Sequence, residues 1–237
     1  MIRKIGILTS GGDSPGMNAA VTAIARSAAL LNMPLLGVDR GFNGLLGKSP
    51  KTDFMELNLE KALDIADLPG TQLRTARCVE FKDKAVRRQA AENLRQLGID
   101  ALVVIGGDGS FTGAMYLCEL GIPCVGIPGT IDNDLGYTEA TLGYDTAVNV
   151  CVEAVRSIRA TSRSHDRPHV VQVMGRNCGD IAMKTAMATG AEMLIVPEVE
   201  WDVDEVAARL NCLIEQGNTR ATLVISEHCW DNMKPFD

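Results

Sequence analysis

IDALVVIGGDGS, residues 99–110, joins an apolar run to a glycine loop, and a segment with helical periodicity follows over 110–120. A short apolar run bounded by turn residues is typical of a strand buried in a parallel sheet. The order of strand, glycine loop and helix is the beginning of a βαβ unit, in which a crossover helix connects two parallel strands. The stretch therefore predicts an α/β protein.

The same alternation extends in both directions from this stretch. Helix-period segments are predicted between most of the apolar runs, at 17–31, 83–97, 110–120, 140–160, 179–190 and 203–216. The runs that predict buried parallel strands are IGIL (5–8), LLGV (35–38), ALVVIGG (101–107), PCVGIP (123–128), HVVQVMG (169–175), MLIVP (193–197) and TLVIS (222–226). This order favours a doubly wound fold with mostly parallel sheets.

Two lobes are expected, the first over residues 1–138 and the second over 139–237. The boundary is placed where the polar strand loops end and a long helix follows. In open α/β sheets, ligands bind outside the carboxyl ends of the strands, and the unusual loops of this chain follow strands. We therefore expect these loops to converge on one crevice.

The bulk composition argues against several classes of protein. The 237 residues are 46% hydrophobic, which is enough for a packed core, and the formal net charge of −7 disfavours a nucleic-acid partner held by a basic face. No stretch approaches a membrane span, and the N-terminal apolar run is too short for a signal peptide. The seven scattered cysteines contain no CxxC pair, which favours reduced thiols in the cytoplasm.

Two glycine loops indicate phosphate binding. The first, SGGDSPGMN at 10–18, follows a strand and opens a helix, so its backbone N–H groups can approach a polyphosphate. The second, at 106–110, places Asp108 between glycines, where a Mg²⁺ ion carried by nucleotide phosphates can meet it. A tight turn and a helix N-cap are the simpler explanations of these loops. Two such loops in one chain favour phosphate.

The third loop, PGTIDND at 128–134, follows another apolar strand. Alternation along an extended chain places Thr130 and Asp132 on the same side. Phosphoryl transfer needs a carboxylate that accepts the proton of the attacking hydroxyl group, and Asp132 can supply it. A turn built from Asn and Asp is the alternative explanation. The reaction also needs fixed positive charge, for which the candidates are Arg77, Arg167 and Arg176.

Four motifs together resemble the 6-phosphofructokinases of the bacterial ATP-dependent type. They are TSGGDSPGMNAA (9–20), IDALVVIGGDGS (99–110), GIPGTIDND (126–134) and VQVMGRNCGD (171–180). The likeness runs from Met1 to about Glu227, and PGTIDND is its most specific part. It implies a Mg²⁺-dependent, allosteric glycolytic kinase that transfers the γ-phosphoryl group of ATP to the 1-hydroxyl group of fructose 6-phosphate. It also implies a homo-oligomer, a tetramer.

Carried over residue by residue, the resemblance implies an ATP and Mg²⁺ lobe followed by a sugar-phosphate lobe. Asp132 is implied as the base, with Thr130 beside the reacting phosphoryl group and Arg176 stabilising its charge. The residues implied in binding ATP are Gly12, Arg77, Gly107, Asp108, Gly109 and Ser110, with Asp108 holding Mg²⁺. Those implied in binding the sugar phosphate are Thr130, Asp132, Met174, Gly175, Arg176 and Glu227, with Arg167 reaching across a subunit boundary.

Two alternatives stay open beside this interpretation. Pyrophosphate-dependent relatives carry Asp and Lys at the positions of Gly109 and Gly129, and the small residues here leave room for an α-phosphate and so favour ATP. A non-catalytic nucleotide-binding or regulatory subunit is the second alternative. The family continues beyond Asp237 with a segment that returns to the first lobe and brings cations to the sugar phosphate, so the second lobe and this return are expected to be incomplete. The stretch Asp231–Phe236 faintly resembles the family's far C-terminus.

The resemblance also implies that basic residues of the first helix and the second lobe bind regulatory ADP or phosphoenolpyruvate. Arg26 fits this pattern, whereas Thr22 and Ser157 stand where arginine is expected. The usual lysines are also absent from residues 216–219. The familiar response to these effectors is therefore not expected to carry over unchanged.

Overall fold

The computed structural model describes residues 2–48 and 53–230. Within these ranges the strands are β1 (Ile5–Thr9), β2 (Leu35–Val38), β3 (Phe54–Glu56), β4 (Ala101–Gly106), β5 (Cys124–Pro128), β6 (His169–Val173), β7 (Met193–Ile195) and β8 (Thr222–Ser226). The α-helices are α1 (Met17–Leu30), α2 (Leu59–Leu63), α3 (Lys84–Gln96), α4 (Asp108–Glu119), α5 (Tyr144–His165), α6 (Asp180–Thr189) and α7 (Val203–Glu215). Short 3₁₀ helices cover Gly41–Leu46 and Val79–Lys82. The stretch Asp231–Phe236 lies outside the described residues.

The chain forms two compact units. The first ends at Thr130 and also includes Tyr137–Gly143, and the second comprises Ile131–Gly136 and the chain from Tyr144 onward. The chain therefore crosses between the units after residues 130, 136 and 143, whereas the sequence predicts a single crossing after 138. The loop with Thr130 and Asp132 is divided between the two units.

The first unit is a five-stranded sheet with the order β3-β2-β1-β4-β5. Its strands are parallel except β3, which pairs antiparallel with β2. Helices α3 and α4 pack on one face through Ala90, Leu94 and Leu117, and α1 and α2 pack on the other. Because helices cover both faces, the predicted doubly wound α/β architecture is confirmed for this unit.

The second unit is a three-stranded parallel sheet with the order β6-β8-β7. Strand β8 is central, and all five of its residues are buried. One apolar cluster joins Val224 to Ile181 and Ala182 of α6, and another joins Ile225 to Trp201 and Val206. The apolar run TLVIS therefore forms the centre of this unit, as expected for a fully buried parallel strand.

Two of the predicted buried strands are only partly buried, which corrects the sequence-based expectation. Val125 of β5 is 63% exposed and Val170 of β6 is 57% exposed. Both strands lie at an edge of their sheet. Hydrophobicity on both faces of a strand suggests burial on both faces, but it does not show whether a neighbouring element is there to cover them.

The start of the long helix α5 also differs from the prediction, because the loop before it belongs to the first unit. The long helix starts at Tyr144 rather than near 140, because Thr138 to Gly143 form a loop in which Leu142 N donates to Pro128 O over 2.7 Å. Gly143 has a φ of 97°, which an L side chain rarely adopts. None of the helices that the structure describes is long and apolar enough to cross a membrane.

Candidate active site

The first two glycine loops lie side by side at the carboxyl ends of β1 and β4. Ser10 N donates to Ile105 O over 2.9 Å, which continues the pairing of the two strands into the loops. A Cβ atom at Gly106 would lie 2.5 Å from both Ser10 O and Ser110 Oγ. The second loop therefore needs glycine here, because any side chain would separate the loops.

The first loop leads directly into α1. Gly16 is the residue before the helix and has a φ of 86°, and a Cβ there would be 3.2 Å from Leu142. Asn18 fixes the first turn to the segment at 68–72: its Oδ1 accepts from Gln72 N over 2.8 Å and its Nδ2 donates to Leu68 O over 2.9 Å. Gly12 is exposed, and its backbone is open to a ligand.

The segment that carries Arg77 is tied to the first loop. Thr9 Oγ1 donates to Arg74 O over 3.0 Å, and the Thr75 hydroxyl donates to Gly11 O. Arg74 forms a bidentate pair with Asp39, which is 2% exposed. The Arg77 side chain is exposed and follows directly after this anchored stretch. The structure thus brings the Arg77 segment and the Gly11–Gly12 turn together.

Asp108 is the first residue of α4 and is exposed. The N-cap position is occupied by Gly107, and no side chain caps this helix. The helix-cap explanation of Asp108 is therefore wrong, because its side chain does not satisfy the N–H groups of the first turn. A carboxylate at the positive end of a helix, next to a loop of glycines, is available to a metal ion that arrives with phosphates.

Thr130 lies beside the second glycine loop. Gly129 N donates to Gly106 O over 3.0 Å, and a Cβ atom at Gly107 would be 3.7 Å from Thr130 Cβ. Thr141 Oγ1 donates to Thr130 O over 2.5 Å and fixes the backbone from the other side. Three loops at the ends of β1, β4 and β5 are therefore adjacent, as the prediction that they share one sheet edge requires.

Gly109 and Gly129, the two positions expected to distinguish ATP from pyrophosphate as the donor, have different surroundings. A Cβ at Gly109 would meet nothing within 4 Å, so this position is open, as expected. A Cβ at Gly129 would lie 2.9 Å from Ile105 Cγ2 and 3.2 Å from Met17 Cε, inside the core. Packing therefore also favours glycine at 129, and its role in leaving room for the donor stays a prediction.

In the second unit, the segment around Asp132 is anchored on both sides. Ile131 packs against the apolar cluster that contains Tyr144, Val173 and Ile181. Asn133 Nδ2 donates to Asp180 Oδ2 over 2.8 Å, and Asn133 has a φ of 55°. Asp132 itself is half-buried between these anchors.

Glu227 builds the turn that carries Arg176. Its Oε1 atom accepts from Gly175 N over 3.0 Å and from Arg176 N over 2.7 Å. Gly175 has a φ of 152°, and a Cβ there would be 2.3 Å from Cys178 O. The guanidinium group of Arg176 and the side chain of Met174 are both exposed. Three of the predicted residues, Gly175, Arg176 and Glu227, therefore meet at the end of β6.

Arg167 lies apart from this group. It precedes β6, whereas Arg176 follows the same strand, so the two arginines are at opposite ends of it. The Arg167 side chain is exposed, and its carbonyl oxygen accepts from Ser162 Oγ over 2.5 Å. Within this chain the structure does not bring Arg167 to the other predicted sugar-phosphate residues.

The described residues contain no cluster of three or more His, Cys, Asp or Glu side chains that could hold a metal ion by themselves. Mg²⁺ commonly uses one or two carboxylates and takes its other ligands from water and phosphate. Asp108 is exposed in the glycine loop and fits that requirement.

A second polar site in the second unit was missed by sequence reasoning. A cavity of about 260 Å³ is lined by Arg159, Arg163, Glu192, Asn218 and Arg220. Glu192 pairs with Arg159 over 2.9 Å, and Arg220 lies 3.9 Å from Asp166, which is outside the lining. Burial by itself raises the pKa of Glu192, but hydrogen bonds from Arg159 and Thr222 N outweigh it and lower that pKa below its ordinary value.

The two residues that replace the expected regulatory arginines do not substitute for them. Thr22 is 4% exposed, and its hydroxyl group is hydrogen-bonded to Ala62 O and Asn18 O. Ser157 is exposed and donates to Glu153 O within its own helix. Arg163 of the same helix and Arg220 bring charge to the cavity instead, and scattered arginines of this kind give no spacing signal in a single sequence.

Comparison with known proteins identifies close relatives. The sequence profile of the family described as Phosphofructokinase matches residues 4–235. The chain is 50% identical over 226 residues to an ATP-dependent 6-phosphofructokinase of Clostridioides difficile, and this match covers 95% of the chain and 70% of the relative.

Solved structures give the same result for the fold. Phosphofructokinase from Saccharomyces cerevisiae matches with a TM-score of 0.87 and 36% identity, over 95% of this chain and 34% of that one. A pyrophosphate-dependent phosphofructokinase from Marinobacter aquaeolei matches with a TM-score of 0.76. At 21% identity, this match shows only that the two folds are alike. The match covers 95% of this chain and 60% of that one.

Proposed function

The chain belongs to the phosphofructokinase family, and we propose that it transfers the γ-phosphoryl group of ATP to the 1-hydroxyl group of fructose 6-phosphate in glycolysis. The product is fructose 1,6-bisphosphate. The observation that carries this proposal is the adjacency of three loops after β1, β4 and β5, which bring Asp108 and Thr130 to the glycine loop where Gly106 admits no side chain. A sheet edge of this kind suits a polyphosphate.

The donor is held by backbone N–H groups and by fixed charge. We assign the phosphates of ATP to Gly12 and to Gly107–Ser110, where two helices start, and the exposed Arg77 adds positive charge from its anchored segment. Asp108 would hold a Mg²⁺ ion, which when bound would neutralise charge on the phosphate oxygens. Thr130 lies beside the Gly107 backbone and contacts the transferred group.

The acceptor hydroxyl is activated by Asp132. This carboxylate accepts the proton of the 1-hydroxyl group while the oxygen attacks the γ-phosphorus and the bond to the ADP oxygen breaks. Arg176 stabilises the negative charge of the transferred group. The anchoring of Ile131 and Asn133 on either side supports this role, because a base must be held in place to act.

The sugar phosphate is assigned to the turn after β6. Met174, Gly175 and Glu227 contact the sugar, and the two hydrogen bonds from backbone N–H groups to Glu227 keep the turn in shape. Arg167 lies at the other end of β6, and we propose that it serves a second subunit of a homotetramer. Analytical ultracentrifugation tests this proposal: a monomer at micromolar concentration contradicts it.

The reaction is assigned to the cytoplasm. All seven cysteines are free thiols, as is usual for proteins in a reducing compartment.

The arginine-lined cavity is proposed as a regulatory site for a phosphorylated effector such as ADP or phosphoenolpyruvate. Arg163 and Arg220 line this cavity along with the Arg159–Glu192 pair, and Arg220 also lies 3.9 Å from Asp166, so Arg163 offers the charge that an anion would meet there. This site differs from the pattern that the resemblance implies, because residues 216–219 contribute no lysine.

A coupled assay with two donors tests the proposed activity. The chain is supplied with fructose 6-phosphate and Mg²⁺, and fructose 1,6-bisphosphate is measured with either ATP or pyrophosphate. We expect turnover when ATP is the donor and none when pyrophosphate is the donor. Turnover with pyrophosphate alone favours the pyrophosphate-dependent alternative, and ATP binding without turnover favours a nucleotide-binding subunit.

A further inference from the structure

Asn133 has an unusual backbone conformation and a long-range hydrogen bond. Its φ of 55° lies in the left-handed region, which residues other than glycine rarely adopt without local support. The side chain reaches 47 residues along the sequence to donate from Nδ2 to Asp180 Oδ2 over 2.8 Å. Because Asn133 directly follows Asp132, whatever fixes Asn133 also fixes the backbone of Asp132.

Asp180 is mounted on a rigid part of the second unit. It is the first residue of α6, and the next two residues, Ile181 and Ala182, are 1% and 0% exposed in the core. Ile131, on the other side of Asp132, packs against the same apolar cluster. Both neighbours of Asp132 are therefore held by the core of the second unit, Ile131 through apolar packing and Asn133 through a charge-assisted hydrogen bond.

We propose that Asp180 is a positioning residue, which orients the Asp132 carboxylate for proton abstraction by holding Asn133. This inference rests on the proposed function, because it assigns Asp132 the role of the base. A shift of about 1 Å in a catalytic group can cost about 100-fold in rate. Loss of the tether is therefore expected to lower kcat while substrate binding persists.

A merely structural role makes a different prediction. A carboxylate in the first turn of a helix also interacts favourably with the helix dipole. Burial and the nearby Asp180 raise the pKa of the Tyr144 hydroxyl group to about 12, so this carboxylate also influences the packed start of α5. Both effects change stability, and neither singles out the segment around Asp132.

Asp204 provides a matched control. It lies in the first turn of α7 in the same unit and is exposed to solvent. Asp204→Ala removes the same charge from the same kind of helix position. Asp180→Asn is the second control, because its amide oxygen can still accept the hydrogen bond from Asn133.

The experiment measures kcat, KM for both substrates and backbone hydrogen exchange in peptides that cover 131–136. In Asp180→Ala we expect kcat to fall about 10- to 100-fold with KM changed less than about threefold. Exchange over 131–136 is expected to become about tenfold faster. Asp204→Ala should leave both unchanged, and Asp180→Asn should recover most of the kcat.

The partner variant Asn133→Gly removes the tether without adding strain, because glycine adopts a positive φ readily. If Asp180 acts through Asn133, the double variant should lose no more kcat than either single variant. Additive losses, or a kcat in Asp180→Ala within twofold of that in Asp204→Ala, would overturn the inference.

The two proposals fail in different ways. A parent chain without any ATP-dependent turnover contradicts the proposed function. Exchange rates are independent of turnover, so unchanged exchange over 131–136 in Asp180→Ala contradicts the tether even in an inactive chain.

Discussion

Gly129 and Gly109 are expected to respond in opposite directions to the same small substitution. In Gly129→Ala the added methyl group would lie 2.9 Å from Ile105 Cγ2 and 3.2 Å from Met17 Cε. Ile105 belongs to strand β4 and is fully buried, so it has little room to move. Overpacking of this kind costs about 1–3 kcal/mol, which for a chain of this size lowers Tm by about 2–12 °C.

Gly109→Ala adds the same methyl group in open space, where nothing lies within 4 Å. The position is the second residue of α4, so alanine should leave stability unchanged or raise it by up to about 1 kcal/mol. Differential scanning calorimetry of the two variants without ligand provides the comparison. Equal changes in Tm would refute the assignment of Gly129 to the core and of Gly109 to the open donor side.

Three further results are expected. Asp108→Ala should abolish most Mg²⁺-dependent turnover. Because Asp108 does not cap α4, the free energy of unfolding should change by less than about 1 kcal/mol. A large loss of stability in urea unfolding would contradict this. The lowered pKa of Glu192 contributes stability above the ordinary glutamate pKa, and this contribution is lost as the pH falls. The difference in unfolding free energy between the parent and Glu192→Gln should therefore shrink below about pH 4. A difference that stays constant with pH refutes the contribution of the ion pair. Arg163→Ala should weaken the binding of a phosphorylated effector about tenfold by calorimetry without changing KM for ATP, and an unchanged effector affinity would remove this arginine from the regulatory site.

The parts of the fold with strong local signals could be predicted from the sequence. The bounds of β2 and β8 agree with the runs LLGV and TLVIS, and the glycine loops follow strands as expected. The short strand β3 was not predicted, because three residues carry no usable periodicity. Its antiparallel pairing depends on contacts with β2 that local sequence does not encode.

The site shows the same division between local and long-range information. The loops of Asp108 and Thr130 were recognisable because glycine and carboxylate occur together in a short stretch. The tethers were not, because the bonds between Asn133 and Asp180 and between Thr75 and Gly11 join residues that are far apart in sequence. The cause of the glycine at 129 also needed the structure, since its neighbour Ile105 belongs to another strand.

The role of Asp132 as the base is tested by the kcat of Asp132→Asn, measured against the parent at saturating ATP and fructose 6-phosphate. Asparagine keeps the size of the side chain but cannot accept the proton of the 1-hydroxyl group. We expect kcat to fall by about 10²–10⁴-fold while the Kd for ATP, measured by calorimetry, stays unchanged. A kcat within threefold of the parent would contradict the assignment of Asp132 as the base.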